Sequence, residues 1–372
     1  MPIKYDVAIV GGGLAGLSLS ILQAKAGKSV VVFEKNAYPF HRVCGEYISL
    51  ESWDFLTFLG VPLNEMNLPI IKKLEVSSPK GTLLQADLDL GGFGISRYVL
   101  DFELAKIAKT LGVTILEKTR VIDVNFNGDF FRLTTQENEY HANIAIGSFG
   151  KRSNLDVDWK RQFIFKNRTT LNQYIGVKYH VKADFPKDKI VLHNFKDGYC
   201  GFSAIENDTY CLCYLTTKSN LKASDNSIEK MEKQILSRNP HLKFLFENST
   251  SLWNAPEVIS QVSFEKKELV FHQMPMLGDA TGVIAPLCGN GMSMAFQGAF
   301  LLNKALNNNA LDFNSYEKEW QKSFGSRLLA GRIIQSMFGN EFTTGFLINF
   351  FRFQPYFLRS LIKLTHGNKI GD

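Results

Sequence analysis

Asp6-Val7-Ala8-Ile9-Val10-Gly11-Gly12-Gly13-Leu14-Ala15-Gly16 decides the fold. A mainly apolar run of strand length enters a glycine pattern of the form GxGxxG. Leu17 to Ala26 then reads as a helix closed by Gly27, and Ser29-Val30-Val31-Val32-Phe33 as a second buried strand ending at Glu34. The spacing predicts a βαβ unit built to meet phosphates. Gly11 permits the tight turn, Gly13 lets the backbone approach a pyrophosphate, and Gly16 lets helix and strand pack closely. Leu14 and Ala15, between these glycines, count with the cofactor site, and the N-terminus of the helix that follows offers free N–H groups and a positive dipole end to the phosphates. Glu34, with Lys35 beside it, is placed to accept hydrogen bonds from a ribose diol. The unit therefore predicts a dinucleotide site.

The rest of the chain bounds what that site can serve. A length of 372 residues allows roughly two domains. Hydrophobic residues at 45% and charged residues at 21% exclude a disordered, collagenous or disulfide-scaffold chain. No apolar run reaches the roughly 20 residues that span a bilayer. Thirty phenylalanines predict an aromatic core or pocket. The net charge of +6 falls short of a nucleic-acid binder's basic face. Cys44, Cys200, Cys211, Cys213 and Cys288 form no CxxC pair, so neither a zinc site nor a disulfide framework is expected. The strand pattern starts at Tyr5 with no signal peptide before it, which reads as a cytoplasmic protein.

A second motif chooses the cofactor. Pro275 to Ala280 reads as a strand end running into the acidic turn Gly278-Asp279. The stretch continues through Pro286 and Cys288 to Gly289, Gly291 and Met292, and a helical run from Ser293 to Asn307 follows. Asp279 suits the hydroxyls of a ribityl chain, which flavins have and nicotinamide cofactors lack. Gly289 to Met292 place bare N–H groups at a helix start, suited to negative charge on the edge of a flavin ring. FAD is the expected cofactor.

On these residues the chain resembles the FAD-dependent oxidoreductases that share the p-hydroxybenzoate hydroxylase fold. Within them it is most similar to the geranylgeranyl reductase and flavoprotein dehydrogenase branch. Four segments carry the resemblance: the GxGxxG unit with Glu34, Pro39-Phe40-His41-Arg42-Val43-Cys44-Gly45-Glu46, Arg97 with Leu100-Asp101 and Leu104, and the Gly278-Asp279 motif with its Pro286-to-Met292 loop. The resemblance implies an α/β architecture. A Rossmann-like FAD-binding domain (1–75, 97–155 and 265–335) is interrupted by a β-sheet substrate domain (76–96 and 156–264), and a C-terminal helical segment (336–372) follows. It implies Arg42 at the pyrophosphate or flavin, Cys44-Gly45 in a turn near the ring, Arg97 at the flavin phosphates and the Val121 backbone at the adenine. Cys44 either lines the catalytic cavity or packs the turn. Glu46 is a proton donor if buried and neutral, or else caps the helix that starts near Ser49. Phe149 stands where related monooxygenases carry an aspartate linked to NAD(P)H use. The electron donor is thus open among transiently bound NAD(P)H, a ferredoxin-like partner and a separate reductase.

From Asp156 to Phe264 the pattern is one of alternating strands, such as Tyr174 to Val181 and Lys189 to Phe195. Tyr199 and Phe202 resemble part of the Tyr-x-Trp-x-Phe-Pro signature of geranylgeranyl reductases, without its Trp and Pro. With Pro286 they wall an apolar pocket, or they are a hairpin's aromatic pair. Cys211 and Cys213 share a strand face and read as packing residues. Ser227 to Ser237 reads as a helix on this sheet. The stretch from Thr343 to Gly371 holds no acid, several cations and six aromatics, broken by Pro355. It suits a membrane surface, the cover of a lipid tunnel, or a helical cap buried against the FAD-binding domain. The expected activity is reduction or dehydrogenation of a carbon–carbon double bond in an apolar, isoprenoid- or polyene-like substrate at flavin N5. Cys44, Glu46 and Tyr199 are the catalytic candidates. An FAD-dependent monooxygenase is the alternative, and a halogenase is disfavoured by the lack of a Trp-x-Trp-x-Ile-Pro motif.

Overall fold

β1 (Lys4–Val10), α1 (Leu14–Lys25) and β2 (Val30–Phe33) form the expected βαβ unit. This computed structural model describes residues 4–151, 153–165, 174–262, 264–283, 289–307, 313–337, 339, 341–365 and 369–371. The helix starts at Leu14, earlier than periodicity suggested, because the second half of the glycine pattern is already helical.

In chain order there follow β3 (Tyr47–Ser49), α2 (Trp53–Leu59), β4 (Ile70–Ser77), β5 (Leu83–Gly94) and α3 (Arg97–Thr110). Next come β6 (Thr114–Leu116), β7 (Val121–Phe126), β8 (Phe131–Thr135) and β9 (Glu139–Gly147). The second half supplies β10 (Tyr174–Ala183), β11 (Lys189–Phe195), β12 (Gly198–Ile205), β13 (Thr209–Thr217), β14 (Ser249–Ser251) and β15 (Glu257–Val262).

The first sheet has the order β6-β2-β1-β9-β8-β7. Its first four strands are parallel, and β8 runs antiparallel to both its neighbours, β9 and β7. Val7, Ile9, Val30 and Val32 face a core shared with Leu17, Leu104 and Phe296. Ala8, Val10, Val31 and Phe33 face a second core with Leu133, Leu155 and Met276. Burial on both faces is why these strands read as continuous apolar runs.

The second sheet has the order β14-β10-β13-β12-β11-β4-β5-β3, with β15 also on β10. One pairing in it, β11 with β4, is parallel. The expected boundary at residue 75 moves here. β4 pairs with β5 from Ile70↔Phe93 to Ser77↔Leu83, so β4 belongs to the second sheet, as β3 does through Tyr47↔Gly94. Backbone pairing along a whole hairpin outweighs a division drawn from sequence position. The helix Ile228–Gln234, shorter than expected, covers this sheet through Met231, beside Leu236, Leu242 and Leu245.

The helix Gly291–Asn307 packs on α1, where Gln23 Nε2 donates to Asn303 Oδ1 at 2.8 Å. Beyond it, Pro355 separates the helices Glu341–Phe353 and Pro355–Thr365, as expected. Their inner face packs on the second sheet: Ile348 and Leu358 are buried against Val76 and Leu84. The pair is thus buried along one face, but on the second sheet and not against the FAD-binding domain as the cap reading expects, while several aromatics on the other face lie exposed.

Candidate functional site

A cavity of about 710 Å³ opens between the two sheets. Gly11, Gly13, Leu14 and Ala15 line it at one end, with Glu34, Lys35, Arg42 and Val121 nearby in the fold. Cys44, Gly45, Arg97, Gly278, Asp279, Gly289, Gly291 and Met292 line it as well. These residues come from widely separated stretches of chain, and the structure brings them together. Gly16 stands behind the wall. A Cβ there would lie 2.2 Å from the Gly11 carbonyl oxygen, so its role is the close helix–strand contact.

The cradle fits a pyrophosphate. A Cβ on Gly13 would meet only Arg97 Nη2, at 3.7 Å, so the space above it is open. Gly11, at φ +112°, is the reverse case, with Ser148 O at 2.2 Å from its would-be Cβ. Gly13 is also the N-cap of α1, and no side chain caps that end and no acid occupies its first turn. Its N–H groups remain available to an anion.

Two guanidinium groups flank this cradle. Arg97 forks onto Asp101 through Nε at 2.7 Å and Nη2 at 2.8 Å. Arg42 reaches Asp101 Oδ2 at 3.1 Å and Glu34 Oε2 at 3.0 Å. Buried Glu34 also accepts from the Gly12 and Asn36 N–H groups, at 3.1 and 3.0 Å. Asp101 thus orients both arginines, a role the sequence showed only as part of a helix pattern.

The Pro39-to-Glu46 loop ends in a buried ionic cluster. Glu46 has φ +55° and is fully buried. It accepts the Arg97 N–H at 2.8 Å, His180 Nε2 at 2.6 Å and the Lys178 ammonium. Lys178 also donates to the Arg42 carbonyl at 3.1 Å. Burial alone would raise the Glu46 carboxyl, but Lys178 and His180 outweigh it and hold it at about 2. This corrects two readings of Glu46. It is ionised and unable to donate a proton, and its carboxylate meets the start of α3 instead of the helix near Ser49. Lys178 and His180 were missed. Their signal was a lysine and a histidine two apart on one face of an otherwise apolar strand. Glu46, His180 and Cys211 bring ligand-type atoms within 4.8 Å, yet Lys178 already supplies the positive charge there.

His41 lines the cavity and rests on Trp253, with ring centroids 4.4 Å apart. Burial, then the nearby Lys178 and His180 charges, push its pKa down to about 4, so it is neutral. Cys44 is partly buried and lines the cavity, while its carbonyl accepts from Cys211 Sγ at 3.3 Å. Lys267, hidden in the charged run Glu265-Lys266-Lys267-Glu268, is buried. It donates to the carbonyls of Lys151 at 2.6 Å and Asp279 at 2.8 Å, pinning the Gly278-Asp279 turn. Burial lowers its pKa to about 8 against the opposing pull of Asp156 and Asp279.

Beyond the cradle the cavity becomes apolar. Leu192, Tyr199, Leu215, Ile259 and Val283 line it and pack as one cluster with Phe264. Phe202 is corrected. It borders the cavity, but its ring stacks on Tyr210 at 5.0 Å and meets Phe185 edge-on at 5.3 Å, inside the core beyond the sheet. Residues three apart on a strand point to opposite faces, so Tyr199 and Phe202 cannot both wall one pocket. Pro286 lies outside the described residues.

A family model described as FAD binding domain matches residues 4–310. The chain is 26% identical over 358 residues to kynurenine 3-monooxygenase of Christiangramia forsetii, covering 87% of this chain and 76% of that one. It is 31% identical over 125 residues to digeranylgeranylglycerophospholipid reductase of Methanoculleus marisnigri, covering 32% and 31%. The solved structure of a flavin-dependent brominase superposes with a TM-score of 0.77 at 18% identity, over 99% of this chain and 94% of that one. At that identity the likeness speaks for the fold alone.

Proposed function

The chain belongs to the FAD binding domain family, and from that premise we propose that it reduces or dehydrogenates a carbon–carbon double bond of an apolar, isoprenoid- or polyene-like substrate. The observation that carries this reading is the continuity of one cavity from the Gly13 cradle to the lobe lined by Leu192, Tyr199, Leu215 and Ile259. When bound, FAD supplies two-electron chemistry at its ring. The chain supplies the rest. The start of α1, Arg97 and Arg42 hold the pyrophosphate, Glu34 the ribose and Asp279 the ribityl chain. The second sheet excludes water and aligns the substrate.

Addition or removal of two hydrogens also moves a proton. Three tyrosines, Tyr47, Tyr199 and Tyr214, border the cavity. Tyr47 packs with Ile71 and Leu88, Tyr214 belongs to the core beyond the sheet, where its hydroxyl donates to Glu232 at 2.7 Å, and Glu46 is ionised; Tyr199, in the apolar lobe, is the proposed proton donor by its place there. Tyr199→Phe is expected to lower turnover about 10²–10⁴-fold while FAD binding is kept. Stopped-flow rates on the variant check this, and an unchanged rate removes Tyr199 from the mechanism. The electron donor is proposed to act transiently, as NAD(P)H or a redox protein.

A second reading is oxygenation of an aromatic or isoprenoid substrate. It draws on the kynurenine 3-monooxygenase likeness, which spans most of both chains where the reductase likeness spans a third. Anaerobic photoreduction, then mixing with polyprenyl, polyene and phenolic compounds, separates the two. Reoxidation without oxygen and a product heavier by two hydrogens support reduction. If only oxygen reoxidises the protein and the product gains one oxygen atom, the second reading replaces the first.

A further inference from the structure

The two C-terminal helices have unlike faces. On the outer side Phe346, Phe350 and Phe353 recur at helical spacing along Glu341–Phe353. Phe346 is 65% exposed and Phe353 82%. The break at Pro355 brings Tyr356 and Phe357 to the same patch, with Phe350 and Phe357 ring centroids 5.8 Å apart. Arg352 and Arg359 are exposed in the same stretch, and neither pairs with an acid among the described residues. From Thr343 to Gly371 the sequence has no Asp or Glu. A contiguous exposed aromatic patch of this kind marks a contact site.

We propose that this outer face docks on the surface of an anionic phospholipid bilayer. Charge decides the occupant. A second copy of the chain would set the arginines against one another with no acid to answer them. A bilayer offers anionic headgroups to the arginines and an apolar boundary to the rings beneath them. The pair lies on the surface, for no described helix is long and apolar enough to cross a membrane.

The inner face gives the docking a purpose, which rests on the proposed apolar substrate. Leu192 and Ile190 line the cavity and pack in the same clusters as Ile348, Leu358 and Ile362. One apolar layer therefore separates the lipid-facing aromatics from the substrate lobe. A substrate dissolved in the bilayer would have that apolar layer, and no bulk water, between it and the lobe.

The test is co-sedimentation of the full-length, FAD-loaded protein with phosphatidylcholine vesicles, with and without phosphatidylglycerol. Binding to the anionic vesicles is expected, weakened by salt, and at least about tenfold weaker on the neutral ones. Arg352→Gln with Arg359→Gln lowers partitioning about thirtyfold. Phe353→Ser with Tyr356→Ser removes it, while the visible band shows the protein still folded and loaded. No vesicle binding, equal binding to both lipids, or a dimer in sedimentation velocity that these substitutions dissociate each overturns the proposal. The vesicle measurement needs no turnover. Vesicle binding without reoxidation by any unsaturated lipid would retire the proposed substrate and leave the docking surface standing.

Discussion

Gly13→Val is expected to give a folded, colourless protein. The residue sits at φ −86° and ψ −176°, which a valine adopts without strain. Its Cβ meets only the flexible tip of Arg97 at 3.7 Å. The cost to the fold is therefore confined to a poorer helix cap, about 1 kcal/mol. The γ-methyls, however, fill the space above the start of α1 where a pyrophosphate takes N–H hydrogen bonds. Losing two charge-assisted bonds weakens FAD binding at least about a hundredfold. Visible absorbance, fluorescence titration with FAD and thermal unfolding measure the three parts. The control is Gly16→Ala, whose Cβ would lie 2.2 Å from the Gly11 carbonyl. It should cost about 1–3 kcal/mol of stability by overpacking. A Gly13→Val protein that purifies fully yellow would refute the cradle.

Lys178→Met carries the other large effect. It leaves the Glu46 carboxylate buried beside His180 with its main counter-charge gone. Breaking a buried pair from one side costs about 3–5 kcal/mol. The sign with pH follows from the shift. In the native protein the Glu46 carboxyl is held at about 2 against an ordinary 4.5, after burial and the opposing cations are combined. That stabilisation is complete above pH 4.5 and is lost as pH falls towards 2. In Lys178→Met the burial penalty is no longer outweighed, so stability should improve as pH falls and Glu46 takes up a proton. Lys178→Met with Glu46→Gln should recover most of the loss at neutral pH. Urea titrations at pH 7 and 5 read all three, and a single variant as stable as the parent at pH 7 would show that the charges are not paired in solution.

Much of the first sheet was legible, for a physical reason. Parallel strands buried on both faces leave runs such as Val30-Val31-Val32-Phe33, and the tight contacts behind Gly11 and Gly16 leave no room for a Cβ unless the backbone shifts. What was hidden depended on partners far along the chain. The protonation of Glu46 is set by Lys178 and His180, over 130 residues away. Lys267 looks like part of a solvated charge run until the fold buries it under the Asp279 turn. The allegiance of β3 and β4 follows from pairings that no local pattern announces. Phe202 is different. Strand parity alone assigns it to the face opposite Tyr199, and a likeness to a family signature led the other way.

The interleaving of the two sheets has a consequence for how the chain matures. β4 leaves the ribosome early, yet its parallel neighbour β11 joins it at Lys73↔Lys189, and β1 awaits β9 at Val10↔Gly147. Such non-local closures are slow, because loop entropy is lost before contacts compensate. The nascent chain must therefore carry half-finished edges of both layers at once. A truncation ending between β9 and β11 should aggregate, whereas one that removes only the C-terminal helix pair leaves every strand with its neighbours.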